Sequence, residues 1–307
     1  MTTDASIAER QQTRPLSSQG GRGVVVAWAF IAPALLFYAA FVLIPIGISF
    51  YYSLLNWDGI GPADFMGLAN YWTVLTDPDL LQTIGNAFKL IAFFTLIPVG
   101  VGLAVAQLIR NHLSGRFGTT ARTILFLPQV IPLVAAGIAW KWMFASNGVV
   151  NQGLELIGLG ELTRGWLGDF DFALPAVGLI GAWVLLGLCT MLLVTGIAKI
   201  DQTLYEAARL DGASGWDEFI HITLPGLRQE IGVCVTVTVI AALASFDIVY
   251  IATGGGPGKE TTVPGLEIYR LAFAHREIGL ASALAVVLML LVIVCVLPIQ
   301  WLTRQQK

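Results

Sequence analysis

Six polar residues stand inside otherwise apolar runs of this 307-residue chain: Asn86, Lys89, Gln107, Gln129, Lys141 and Asp247. A polar group within an apolar segment costs free energy, and its default reading is ion pairing, relay or contact with a passing solute. Asp247 comes late in its run, and three uses are open to it. It can pair with a lysine, bond to the Thr253-Gly-Gly-Gly-Pro257 turn that follows, or face a solute path. Phe246, Tyr250 and Trp183 are the aromatic residues placed to line such a path beside it.

Groups for covalent or metal chemistry are scattered. His112, His221 and His275 stand alone, without paired ligand spacing. Cys189, Cys234 and Cys295 each sit in an apolar run with no CxxC, which reads as buried thiols acting as small hydrophobes. Gly254-Gly-Gly-Pro-Gly258-Lys259-Glu260-Thr261 puts glycines before a lysine. A phosphate-binding loop needs a further Gly where Thr253 stands and a Ser or Thr where Glu260 stands. The sequence therefore predicts a turn there, with no catalytic, nucleotide or metal site in this chain. A net charge of −3 without a basic stripe argues against a nucleic-acid partner.

The elements that must hold these residues are membrane spans. Hydrophobic residues make up 56% of the chain and charged ones 12%, against roughly 25% charged in soluble domains. With so little polar material the lipid bilayer is the solvent. A helix needs about 20 mostly apolar residues to cross it. Six runs qualify: Val24 to Phe50, Ala87 to Ile109, Ile124 to Phe144, Ala173 to Ala198, Ile231 to Ala252 and Ile278 to Leu302. The first is too long for a cleaved leader and reads as an uncleaved span. Residues 1–22 read as a disordered cytoplasmic tail, and 23–307 as the transmembrane domain.

Basic residues set the orientation. With the N-terminus in the cytoplasm, Arg10, Arg14, Arg22, Arg110, Arg116, Arg122, Lys199, Arg209, Arg228, Arg304 and Lys307 fall inside. Only Arg164, Lys259, Arg270 and Arg276 fall outside. Both termini are then cytoplasmic. Trp28, Tyr51, Tyr52, Trp57, Trp140, Trp142 and Trp301 lie at span ends, as an interfacial belt would.

Between the fourth and fifth spans, residues 200–228 are too polar for the bilayer and too patterned for a linker. Thr203 and Glu206 have capping-box spacing, so a helix is expected to start there, with Gly212 supplying the left-handed residue that ends it. Ser214 and Asp217 repeat the cap for a second short helix, and Pro225 is expected to break the chain before span five. Ala207 and Ala208 remove bulk, so a partner surface could approach the backbone. On these features alone, a docking knob and a loop capped for its own stability are equally good readings.

The string Glu206-Ala207-Ala208, then Asp211-Gly212-Ala213, Phe219, Ile222 and Leu224-Pro225, resembles the EAA loop of binding-protein-dependent ABC importer permeases. Phe65-Met-Gly-Leu-Ala-Asn70-Tyr71, Phe126-Leu-Pro128, Trp140-Lys-Trp142 and Phe246-Asp247 with the Thr253-to-Pro257 turn extend the likeness to the carbohydrate-uptake branch, that of the maltose and glycerol-3-phosphate permeases. The resemblance implies an all-α permease of type I ABC importer fold in the cytoplasmic membrane of a prokaryote. It implies a second permease subunit in a heterodimer, two ATPase subunits that bind ATP and Mg, and an extracytoplasmic substrate-binding protein. It makes Glu206, Ala207, Ala208, Asp211, Gly212, Ala213, Leu224 and Pro225 the loop that couples to the ATPase. The expected cargo is a sugar, with a polyol or glycerol-3-phosphate as the alternative. A secondary transporter would show an internal repeat and buried charge relays, and a membrane enzyme a cluster of His or acidic residues; neither pattern stands out.

Overall fold

The computed structural model describes residues 22–112 and 115–303; the expected tail up to Gly21, Arg304 and Lys307 lie outside the described residues, as do the side chains of Arg22, His112 and Arg116. The regular secondary structure of the described chain is helical apart from a two-residue antiparallel pair, Leu55–Asn56 with Asp64–Phe65. It divides into two units, residues 1–49 and 50–307.

In the first unit the helix Arg22–Tyr38 passes through one wide turn, Ala39–Leu43, into the helix Ile44–Tyr52. The stretch Trp28–Tyr52 is long and apolar enough to cross a membrane.

In the second unit three long helices meet that test: Pro78–Arg110 within Pro78–His112, Ala173–Ile197, and Ile278–Thr303. The first of these starts nine positions before the run read from the sequence. Asp77 accepts the amides of Asp79 and Leu80 and so caps a helix that begins at Pro78. It packs along Ala173–Ile197 so closely that a Cβ added to Gly181 would enter the Phe94 ring, and one on Gly178 would lie 2.6 Å from Phe93. Small residues let apolar helix backbones approach in this way. Thr95 and Thr238, 2.9 Å apart, tie Pro78–His112 to Arg228–Leu243.

Two expected spans are interrupted. The third consists of Gly115–Val130 and Leu133–Met143, the latter turned by 99° at Ile131 and Pro132. The backbone of Pro132 is extended, and proline supplies no amide to carry the first helix across the bend. The fifth consists of Arg228–Leu243, a break at residues 244–246, and the short helix Asp247–Ala252. Pro225 does not make the break before this span. It sits inside the short helix Leu224–Gly226, and the 67° bend onto Arg228–Leu243 falls after it, at Leu227.

Several polar residues have structural work. Asn86, fully buried, donates to the carbonyls of Thr262 (3.0 Å) and Lys259 (3.4 Å) and so holds the 253–262 turn. Asn70 donates to Ser53 and Leu55 carbonyls at 2.9 Å, which explains its place in the Phe65-to-Tyr71 motif. Lys89 and Lys141 are exposed. Trp28, Tyr51, Trp142 and Trp301 are exposed as a belt requires. Trp140 is not: it packs on Phe144 (5.0 Å) and Trp183 (5.5 Å, edge to face) against the core around Val177 and Ile180.

Candidate functional site

Two places in the second unit concentrate the residues singled out above: the 200–228 loop, and a cavity at the two helix breaks.

The loop is a helix–turn–helix whose ends are closed by local hydrogen bonds. Its first helix, Gln202–Leu210, is capped by Asp201, whose carboxylate accepts the Thr203 amide at 3.0 Å. The cap therefore lies two residues before the expected Thr203, and the Thr203–Glu206 spacing plays no part in it. Gly212, at φ +84°, ends the helix as expected. The Gly212 amide reaches the Arg209 carbonyl and the Ala213 amide the Ala208 carbonyl, the paired bonds of a left-handed helix stop. Asp211 is the last residue before that reversal. Ser214 and Asp217 then exchange the reciprocal bonds of a capping box on Gly215–Glu218, as the sequence predicts. The wide turn Phe219–Thr223 leads to Leu224–Gly226. The Thr203 amide on Asp201, and the Ser214 hydroxyl and amide on Asp217, hold both carboxyls below the usual carboxylate range. Their contribution to the caps is full above the ordinary carboxylate pKa and is lost only as pH falls through the lowered one.

Beneath the knob lies a junction that no local motif announces. Tyr205 is buried, with its hydroxyl 3.1 Å from the Thr223 hydroxyl and the Arg110 guanidinium 3.4 Å above its ring centre. Glu218 is buried between Arg209 (2.6 Å) and Arg110 (3.7 Å). The Glu218 carboxylate keeps the Arg209 guanidinium above its ordinary pKa. Arg110 belongs to the Pro78–His112 helix, so the loop is pinned to a long helix by one stacked cation and one shared carboxylate. The outer surface carries the residues chosen from sequence. Glu206, Ala207, Asp211, Leu224 and Pro225 are exposed and Ala208 and Ala213 half-buried, and the space around Gly212 is open. Leu204, Leu210 and Trp216 are exposed among them, Leu210 to 89%.

The cavity, of about 430 Å³, opens where the two interrupted helices face each other. Gln129 to Leu133 come from one break, Ala244 to Ile248 from the other, and Phe94, Gly181, Val184 and Leu185 close it from the packed helix pair. Its wall is apolar apart from backbone, Gln129, Ser245 and Asp247, and no Lys, Arg or His lines it. The Oε1 of Gln129 is buried without a partner among the described residues. Asp247 lines this cavity. No lysine pairs with it among the described residues, and the 253–257 turn is held instead by Arg270, which donates to the Gly254 carbonyl. Phe246 shares the cavity wall. Tyr250 stands behind it, stacked at 5.3 Å, and Trp183 turns to Trp140, so neither touches the cavity. Discontinuous helices whose breaks line one cavity are a recurrent way to build solute sites in transporters.

Comparison with known proteins places this architecture. Residues 96–306 match the family model described as binding-protein-dependent transport system inner membrane component. The chain is 36% identical over 269 residues, 87% of its length and 92% of the relative's, to the probable ABC transporter permease protein YurN of Bacillus subtilis. It is 33% identical to the diacetylchitobiose uptake system permease protein NgcF of Streptomyces coelicolor, over 85% of this chain and 77% of that one. It is 32% identical to the trehalose/maltose transport system permease protein MalF of Thermococcus litoralis, over 89% and 91%. Among solved structures, a bacterial ABC transporter involved in the import of the acidic polysaccharide alginate matches at a TM-score of 0.78 and 22% identity. That match covers 93% of this chain and 97% of the other, and fixes the fold. With its apolar helices, its two broken spans and a family match over residues 96–306, the chain belongs to the family of inner membrane components of binding-protein-dependent transport systems, as a multi-pass ABC transporter permease.

Proposed function

We propose that this chain is one permease half of an ATP-driven importer that carries a carbohydrate across the cytoplasmic membrane, working beside a second, non-identical permease subunit. The 200–228 loop, on the cytoplasmic side with both termini, docks on one of two partner ATPases that bind ATP and Mg. A substrate-binding protein delivers cargo from the other side. Nucleotide-driven movement of the docked loop biases the spans between two states, which is alternating access by differential contact.

The observation that carries this reading is the loop's construction. A knob closed at both helix ends and pinned by Tyr205 and Glu218 presents Leu204, Ala207, Leu210 and Trp216 to the outside. A loop serving only its own stability would bury those apolar side chains. The carbohydrate cargo is supported by relatives for diacetylchitobiose and for trehalose/maltose, and by a cavity with two aromatic rings, Phe94 and Phe246, beside carboxylate, amide and hydroxyl groups. Glycerol-3-phosphate fits less well, since an anion would meet the Asp247 carboxylate with no cation lining the cavity.

The test uses the transporter assembled with its ATPase and binding protein. A thiol cross-linker on Ala207→Cys is expected to capture the ATPase. Gly212→Leu forces a branched side chain to φ +84°, at a cost of about 1–2 kcal/mol. It is expected to leave ATP hydrolysis running while uptake falls at least fivefold. Wild-type uptake in Gly212→Leu at equal protein level, together with no captured ATPase, refutes the coupling role.

A further inference from the structure

Four aromatic rings stand in unbroken contact, starting at the cavity wall. Phe246 lines the cavity and stacks on Tyr250 at 5.3 Å with the planes 13° apart. It also meets Tyr269 at 5.6 Å, and Tyr250 meets Tyr269 edge to face at 5.8 Å. Tyr269 in turn leads to Phe273 at 5.3 Å. The backbone sets up this line. The helix Pro264–Tyr269 starts against the 244–246 break, where a Cβ on Gly265 would lie 3.0 Å from the Ser245 carbonyl and 3.4 Å from Phe246 Cβ. The following wide turn, Arg270–His275, carries Phe273 one turn further on.

Exposure is least at Phe246 and greatest at Phe273. Phe246 is half-buried, Tyr269 and Tyr250 are 40% and 45% exposed, and Phe273 is 75% exposed. The hydroxyls of Tyr250 and Tyr269 make no hydrogen bond among the described residues. A ring that merely fills a core buries its face, and a buried tyrosine hydroxyl finds a partner. These rings do neither. Phe246, Tyr250 and Tyr269 touch one another pairwise and Phe273 extends outward from Tyr269, while at the inner end stand Asp247 and the buried Gln129 Oε1, neither with a partner among the described residues. A pyranose has apolar C–H faces and a rim of hydroxyls. Partly exposed rings, two of them tyrosines whose hydroxyls make no hydrogen bond among the described residues, match both.

We infer that Phe246, Tyr250, Tyr269 and Phe273 form a stacking track on which a carbohydrate chain of two or more pyranose units runs into the cavity, with Tyr269 and Phe273 as its outer subsites. The inference rests on the carbohydrate reading above and adds to it both chain length and the residues that read it. A single sugar ring needs only Phe246 and the cavity; a longer chain needs the outer rings.

The test is uptake by the complete transporter, with its binding protein and ATP, in proteoliposomes. The probes are three uncharged sugars: N,N′-diacetylchitobiose, lactose and maltotriose. For each probe the wild type carries, Tyr269→Ala and Phe273→Ala are expected to raise KM about tenfold with kcat within twofold, and Tyr269→Trp is expected to restore it. KM within twofold of wild type in both alanine variants overturns the track while leaving the carbohydrate reading standing. Loss of the second permease subunit on purification of those variants also overturns it, by making the rings a subunit contact. A wild-type complex that takes up none of the three sugars removes the carbohydrate reading and the track together.

Discussion

The 200–228 loop and the cavity at the helix breaks treat their polar groups in opposite ways. In the loop Asp201, Ser214, Asp217, Arg209, Glu218, Tyr205 and Thr223 all have partners within the chain. In the cavity Asp247 and Gln129 Oε1 have none among the described residues. A segment that must transmit force is better for holding one shape, so its hydrogen bonds close on themselves. On the function proposed above, the cavity leaves its polar groups open for a passing solute to complete. The apolar groups are reversed in the same sense: the loop shows leucine and tryptophan outward, while the cavity keeps its apolar wall inward.

This contrast can be broken at its strongest point by Tyr205→Ala. Truncating a buried aromatic side chain costs about 3–5 kcal/mol, and here it also removes the seat of the Arg110 guanidinium. The loop is expected to lose its hold on the Pro78–His112 helix. Amides of residues 202–226 should exchange hydrogen at least a hundredfold faster, and ATP hydrolysis should run without uptake. Unchanged exchange would mean that the loop keeps its shape by its caps alone.

Gly181→Ala probes the cavity side with a smaller expected loss. The added methyl must displace the Phe94 ring, and overpacking of this kind costs about 1–3 kcal/mol. Thermal unfolding of the purified complex should shift down by several degrees and uptake should fall. The cross-link from the loop to the ATPase should persist, since nothing in the loop is touched.

Asp247→Asn is the mildest change and sharpens the contrast most. It keeps the size and removes the charge of an open, unpaired group, so folding and basal ATP hydrolysis should stay as in the wild type. Competition of digalacturonate against a transported neutral disaccharide should become at least threefold stronger, because the charge that repels an acidic sugar is gone. No change in that competition would show that Asp247 does not face the path.

How much of this was legible in the sequence follows from the range of the interactions. Ser214 with Asp217 and the left-handed Gly212 act over a few residues, and the sequence alone locates both. The first cap departs from the sequence expectation because Thr203 and Glu206 have the right spacing, while Asp201, one residue before the helix, is better placed to reach the Thr203 amide. Tyr205, Glu218 and Arg110 escaped notice because their meeting spans about a hundred positions and leaves no pattern in either neighbourhood. Arg110 at the end of an apolar run was the one available signal. The long helices were plain from length and hydropathy. The breaks were hidden by the same property, since apolar residues continue on both sides of Pro132 and of Ser245. The outer rings Tyr269 and Phe273 carry no pattern in the sequence that points to Phe246; only the fold brings Tyr269 against Phe246 and Phe273 against Tyr269.

The Pro78–His112 helix touches all of these places. Near one end Asn86 grips the 253–262 turn, midway Phe94 forms a wall of the cavity, and near the other end Arg110 sits on Tyr205. The 24 residues from Asn86 to Arg110 span about 36 Å at 1.5 Å each. It therefore serves as a tie rod: a displacement imposed at Tyr205 is felt at the far turn without any relay of side chains between. Pro98, which lacks the amide that would bond the Phe94 carbonyl, is the point of give along that rod. It lies one turn from Phe94 in the cavity wall, so any flexing falls beside the cavity.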